Sequence, residues 1–185
     1  MSIHVVVMGV AGCGKSTVAE AIRDRLGYTM AEGDDFHPQA NIDKMSAGHP
    51  LTDEDRWPWL RVINTWMVAR DALDQNTVVS SSALKRAYRD LLRENVDVFF
   101  VHLAGSQELI YSRLSARKDH FMPPSLLASQ FADLQPLQPD ENGVVVPVDG
   151  TIEEVVEQAV AAVRAYQESK VPEPNVPVAK VPVAA

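Results

Sequence analysis

Residues 9–17 read GVAGCGKST, set between an apolar run, IHVVVM (3–8), and VAEAIRDRL (18–26). The first flank has the unbroken apolar character of a buried strand. In the second, Val18, Ile22 and Leu26 recur at helical spacing. A strand, a glycine loop and a helix in that order form a cradle for an anion. The glycines let backbone N–H groups turn inward, and the helix N-terminus adds its positive dipole end. Gly9, Gly14, Lys15 and Ser16 fit G-x-x-x-x-G-K-[ST], in which the lysine reaches the β- and γ-phosphates of ATP and the hydroxyl ligates Mg²⁺. Gly12, Cys13 and Thr17 complete the phosphate-binding set, with Cys13 a small filler rather than a nucleophile. A chance glycine-rich turn would not bring the strand and the helix with it.

Outward from this loop the same alternation continues. Apolar, β-branched runs stand at Ile3–Met8, Thr77–Ser80, Val96–Leu103 and Gly143–Val148, with a weaker one at Tyr28–Ala31. Each reads as a short strand buried on both faces. Helical spacing links Tyr88, Leu91 and Leu92, then Leu109, Ile110 and Leu114. It is clearest in Ile152, Val155, Val156, Ala159, Val163 and Tyr166, where Thr151 and Glu154 form a capping box. The pattern predicts an α/β protein: a five-stranded parallel sheet with helices on both faces. Two long segments interrupt it, at about 32–60 and about 113–139, and long insertions of this kind carry function. The first holds Phe, Met, Leu and two Trp, which predicts an ordered insertion. Residues 1–170 read as one domain. The Pro/Val/Ala-rich tail, 171–185, reads as a disordered extension.

Bulk properties narrow the class. A length of 185 residues suits one domain with a real core. A formal charge of −8 argues against a nucleic-acid partner, which would need a basic face, but not against a small anionic ligand. Cys13 is the single cysteine, so no internal disulfide and no cysteine cluster can form. No apolar run approaches a membrane span and no signal peptide is evident, so a cytoplasmic location without membrane association is expected.

A phosphate loop is common to kinases, GTPases and ATPases. The N-K-x-D guanine motif is absent, and DENG (140–143) follows a Pro-rich loop rather than a strand. No strand ends in the usual metal-binding aspartate: TVVSS ends in serine. The acidic group for Mg²⁺ must come from EGDD (32–35), just after the second strand, facing the loop across the C-terminal edge of the sheet. That placement is typical of small-molecule kinases.

The first insertion, with G-D-D-x-H-P, N-x-x-K-M, G-x-P-L-x-D-x-D-R and P-W-L, closely resembles the gluconokinase family of P-loop kinases. The resemblance continues through SSALKRAYRDLLR (81–93) and SRLSARKDHFMPPSLLASQFADLQ (112–135), and covers the chain from Ile3 to about Tyr166. It implies transfer of the ATP γ-phosphate to the 6-hydroxyl of D-gluconate, and a homodimer. Three positions depart from the family: Cys13 and Ser81, both small-for-small, and Glu32, where the family usually has Asp. Competing readings are a kinase for shikimate, a nucleotide or another sugar acid, and a nucleotide-binding module without turnover.

Phosphoryl transfer needs positioning and charge neutralisation more than a strong base. Asp34 is assigned to orient the attacking hydroxyl and accept its proton. Asp35 either shares that role or pairs with His37 or a backbone turn. Ser16 and Glu32 are assigned to the metal side. Arg56 and Lys85 are the cations for the substrate carboxylate, unless Asp53, Asp55 or Asp90 holds them on the surface. His37 is placed at a sugar hydroxyl, whereas His4 and His102 read as satisfied structural histidines. Trp57, beside Arg56, is the tryptophan expected at the pocket. Arg113 and Arg117 share one helix face at i, i+4 in a lid, followed by Lys118 and His120. Asp149, Gly150 and Thr151 stand where such kinases contact adenine.

Overall fold

A computed structural model describes residues 2–117 and 124–171. The strands are β1 (His4–Met8), β2 (Thr29–Glu32), β3 (Thr77–Ser80), β4 (Val98–Ala104) and β5 (Gly143–Pro147), all parallel in the order β2-β3-β1-β4-β5. β1 stands at the centre of that order, and all five of its residues are buried. Its register sets Val7 against Ser80 and Met8 against His102, so the three middle strands end together at one edge.

The helices are α1 (Lys15–Leu26), α2 (Gln39–Ser46), α3 (Asp53–Asp71), α4 (Arg86–Leu92), α5 (Gln107–Ser115), α6 (Leu127–Asp133) and α7 (Ile152–Ser169). Right-handed crossovers separate them by face. The chain moves outward from β1 to β2 through α1, then returns through α3 and α4. α1 therefore packs with α7, and α3 packs with α4 across the sheet. The capping box at Thr151 and Glu154 is present.

Three expectations need correction. The edge strands are not buried on both faces: β2 is half-buried, and Val145 in β5 is exposed. The insertion at 32–60 is ordered, as expected, but half of it is helix. A 3-10 turn (Gly33–Phe36) leads into α2, and α3 begins at Asp53 and runs for 19 residues. Its start was legible: the Thr52 hydroxyl accepts from the Asp55 N–H, and the Asp55 carboxylate accepts from the Thr52 N–H. His4 is satisfied by Thr77 at 2.8 Å, but His102 is buried with neither ring nitrogen hydrogen-bonded among the described residues.

The DENG segment is structural. Arg89 and Glu141 are both fully buried and joined at 2.6 Å, and the same guanidinium donates to the carbonyls of Ala83 and Leu84. Arg86 forks onto Asp140. These bonds fix the turn before α4, where the third strand leaves the sheet. Lys118, His120 and residues 172–185 lie outside the described residues.

Candidate active site

The phosphate loop joins the end of β1 to the start of α1. Gly14 caps α1 at φ 96°, a left-handed geometry that only glycine adopts freely, and a Cβ there would meet nothing within 4 Å. The space beside Gly14 is therefore open. Lys15 lies over its own loop, its Nζ 3.0 Å from the Val10 carbonyl. Cys13 is buried, and burial pushes its thiol up, which disfavours the thiolate. From α6, the Gln130 side-chain oxygen accepts from the Ala11 N–H at 2.7 Å.

Glu32 ends β2 beside this loop. Its carboxylate accepts from the Ser16 hydroxyl at 3.0 Å and from the Ser80 hydroxyl. The approach is close because of Gly33, where a Cβ would stand 2.1 Å from the Ser80 carbonyl oxygen. Serine and carboxylate oxygens are hard donors that suit Mg²⁺ with phosphate oxygens completing its shell. Among the described residues no group of three or more His, Cys, Asp or Glu could hold a metal alone.

One cavity spans both halves of the site. Its lining includes Gly12, Gly14, Lys15, Ser16 and Thr17 on the loop side, with Glu32 and Ser80 at the sheet edge. Opposite them are Asp34, His37, Arg56 and Trp59, closed by Met45, Leu51, Leu126 and Gln130. Asp34 is 86% exposed, so its carboxylate faces ligand space and supports no packing. Asp35 is exposed and does not line the cavity. It is Asp34, not Asp35, that approaches His37, at 3.8 Å from Nε2. His37 stacks on Trp59 with centroids 4.1 Å apart, and Trp59 donates to the Gly33 carbonyl at 2.7 Å. Trp59 is therefore the pocket tryptophan, and Trp57 packs edge-on against Tyr88 instead.

Arg56 is buried but lines the cavity. None of the expected acids holds it. Its Nη1 donates to the Tyr88 hydroxyl at 2.7 Å and to Asp133 at 2.8 Å. Its Nε and Nη2 make no hydrogen bond among the described residues and are not sealed from solvent. The free edge of the fork therefore remains for a ligand carboxylate. Lys85 differs. It caps α4 as expected but does not line the cavity, and its ammonium lies 3.0 Å from Asp53 and 3.7 Å from Asp133. Tyr88 also donates to Asp53, so α3, α4 and α6 share one polar network behind Arg56.

A second cavity adjoins the first through Gly12, Gly14, Thr17 and Arg117. Arg113 and Arg117 both line it, with Val148, Gly150, Thr151, Ile152 and Val155. Gly150 and Thr151 stand where sequence placed them, whereas Asp149 is not in the lining. α5 ends at Ser115, so the two arginines do not share a continuous helix. Arg117 follows the helix end, its N–H bonded to the Leu114 carbonyl.

Sequence reading missed Ser80, Trp59, Gln130 and the Asp133–Tyr88–Asp53 network. Ser80, the last residue of β3 within TVVSS (77–81), carried a usable signal, since a serine stands where an acid is expected at a strand end. Gln130 and Asp133 carried none in linear order.

A family model described as an AAA domain matches residues 5–122. The chain is 46% identical to the gluconokinase of Gluconobacter oxydans (strain 621H) over 146 residues, 78% of this chain and 81% of that protein. It is 42% identical to the thermoresistant gluconokinase of Escherichia coli (strain K12) over 161 residues, 86% of this chain and 92% of that one. A crystal structure of a gluconokinase from Sinorhizobium meliloti 1021 superposes with a TM-score of 0.82 at 45% identity, covering 90% of this chain and 94% of that one.

Proposed function

The chain belongs to the gluconokinase family of P-loop kinases, and on that basis we propose that it transfers the γ-phosphate of ATP to the 6-hydroxyl of D-gluconate, giving 6-phospho-D-gluconate and ADP. The observation that carries this reading is the shared cavity, in which Lys15 and Ser16 face Asp34 and the free edge of Arg56. A phosphate cradle, a carboxylate and an unfilled guanidinium edge together match a hydroxylated carboxylate as acceptor.

On this reading Gly9, Gly12, Cys13, Gly14, Ser16 and Thr17 hold the phosphates by backbone and hydroxyl groups, and Lys15 neutralises the charge that develops on transfer. Asp34 accepts the proton of the attacking hydroxyl. That oxygen bonds to the γ-phosphorus as the bond to the departing ADP oxygen breaks. Arg56 takes the gluconate carboxylate, and Lys85 acts behind it by holding Asp53 and Asp133. Arg113 and Arg117 screen the triphosphate, and Gly150 and Thr151 border the base, with Asp149 outside that contact. Ser16 and Glu32 would hold Mg²⁺, which supplies charge neutralisation to the phosphates when bound.

Residues 1–170 act as one kinase domain with an acceptor insertion at about 32–60 and a lid at about 113–139. No helix among the described residues is long and apolar enough to cross a membrane, and a cytoplasmic location is part of the proposal. A homodimer is part of the same reading, tested by light scattering. The decisive experiment is ADP release measured with gluconate, shikimate, AMP and sorbitol. Gluconate should exceed sorbitol in kcat/KM by about 10³-fold. A higher value for shikimate or AMP would overturn the substrate assignment.

A further inference from the structure

We infer that Asn41 is a positioning residue that locks His37 in one neutral tautomer, with the proton on Nε2 and facing Asp34. The argument needs only the direction of each hydrogen bond. Asn41 lies in α2, buried beneath the cavity wall. Its amide Nδ2 is 2.9 Å from the backbone carbonyl oxygen of Asp55. A carbonyl can only accept, so the amide group at that position is the NH₂. The same nitrogen lies 3.3 Å from His37 Nδ1. Its second hydrogen points there, and two donors cannot share one contact. Nδ1 must therefore present a lone pair, which leaves the ring proton on Nε2.

Stacking holds the plane of the ring, and a half-turn about Cβ–Cγ within that plane would set a carbon against the Asn41 amide. The ring is stacked on Trp59, and Trp59 is tied to the Gly33 carbonyl. Nε2 lies on the opposite edge from Asn41, 3.8 Å from the Asp34 carboxylate. Burial holds His37 below its ordinary pKa and Arg56 pushes the same way, against the opposing pull of Asp34, so the ring is neutral at neutral pH. At 3.8 Å the contact is longer than a hydrogen bond, so a neutral N–H there orients one carboxylate oxygen by its dipole and leaves the other for a hydroxyl. It withdraws less basicity than an imidazolium would. The opposite tautomer would aim a lone pair at Asp34 and repel it. His37 keeps its proton throughout the reaction, and Asn41 is what makes that so.

The catalytic sense of this inference rests on Asp34 receiving the hydroxyl proton, but the tautomer does not. Long-range ¹H–¹⁵N spectra of the imidazole rings in ¹⁵N-labelled protein at pH 7.5, with His37 assigned through His37→Gln, read it directly. The expected wild-type result is a neutral ring protonated on Nε2. In Asn41→Asp the new carboxylate can only accept, so the proton should move to Nδ1 or the ring should become charged. The kcat should fall about 10- to 100-fold, the range seen when an outer partner orienting a functional histidine is removed, while KM for ATP stays within about twofold. His37→Gln keeps a donor and should retain at least about tenfold more kcat than His37→Leu. A wild-type ring protonated on Nδ1 or charged at that pH would overturn the inference without any variant having to fold. Equal kcat in His37→Gln and His37→Leu would reduce His37 to packing. Full activity in Asp34→Asn with the expected spectrum would instead remove the role of Asp34 and leave the tautomer standing.

Discussion

The two halves of the cavity are built differently. The phosphate side comes from nine consecutive residues at the end of one strand, and on the proposed reading most of its working groups are backbone N–H. The acceptor side draws Asp34 and His37 from a turn, Arg56 and Trp59 from α3, and its closing residues from α2, α6 and the segments just before α3 and α6. Its polar groups are held by one another across long sequence separations, as in the Asp133–Arg56 contact spanning 77 positions. Backbone amides grip any triphosphate and a local motif suffices to place them. Selecting one acceptor needs side chains of defined direction, and only tertiary contacts can set that.

If the difference is real, the largest effect follows from Lys15, the one cation within the phosphate loop itself. Lys15→Ala should lower kcat by about 10³-fold or more with an unchanged fold, since among the described residues the Lys15 ammonium hydrogen-bonds only within its own loop. Near-normal turnover would break the comparison at its simpler half.

Asp34→Asn comes next. The exposed carboxylate supports no packing, so the variant should fold normally and lose about 10²–10⁴-fold in kcat. Calorimetry without acceptor should show unchanged ATP affinity. A matching loss of ATP affinity would move Asp34 to the donor half.

Arg56 tests how the acceptor is chosen. Arg56→Gln should shrink the gluconate-to-sorbitol ratio of kcat/KM on the order of 10²-fold, mostly through gluconate. Lys85→Met should change that ratio by less than about threefold, because its partners Asp53 and Asp133 are partly exposed and Asp133 keeps its bond to Arg56. Equal losses with both acceptors would show that Arg56 supports the fold and does not read the carboxylate.

The smallest effect concerns stability. Burial holds His4, His37 and His102 below the ordinary histidine value of 6.5. The unfolded chain takes up these protons at a higher pH than the folded one. Their neutral burial is fully tolerated above pH 6.5, and stability declines as pH falls through the lowered values. Asp55 and Asp140, held at about 2 by Lys44 and Arg86, stay ionised across that window and contribute no slope. Thermal unfolding from pH 8 to 5 should show Tm falling by about 2–4 °C for each kcal/mol lost. A Tm that rises toward pH 5 would contradict the buried neutral rings.

What could be read from the sequence follows the same division. The phosphate loop, the alternation of strands and helices, and the acid after β2 depend on neighbours in the chain. Which tryptophan faces the pocket does not. Trp57 and Trp59 are two positions apart, about 200° around a helix, so they point nearly opposite ways. Only the packing of α3 decides between them. Lys85 and Arg56 look equivalent as isolated cations, yet one is held by Asp53 and the other keeps a free edge. The exposure of β5 followed from its place at the sheet's edge, which an apolar run cannot reveal.

Gly33 has a meaning for variation as well as for geometry. A Cβ at that position would lie 2.1 Å from a backbone oxygen, which cannot swing aside as a flexible side chain could. Even alanine, the smallest possible change, would have to part β2 from β3 and draw Glu32 away from Ser16. In a saturation library selected for growth, Gly33 should tolerate nothing, whereas Gly48, whose Cβ would meet open space, should accept asparagine despite its positive φ. Two glycines fifteen positions apart would then mark the extremes of what this insertion permits.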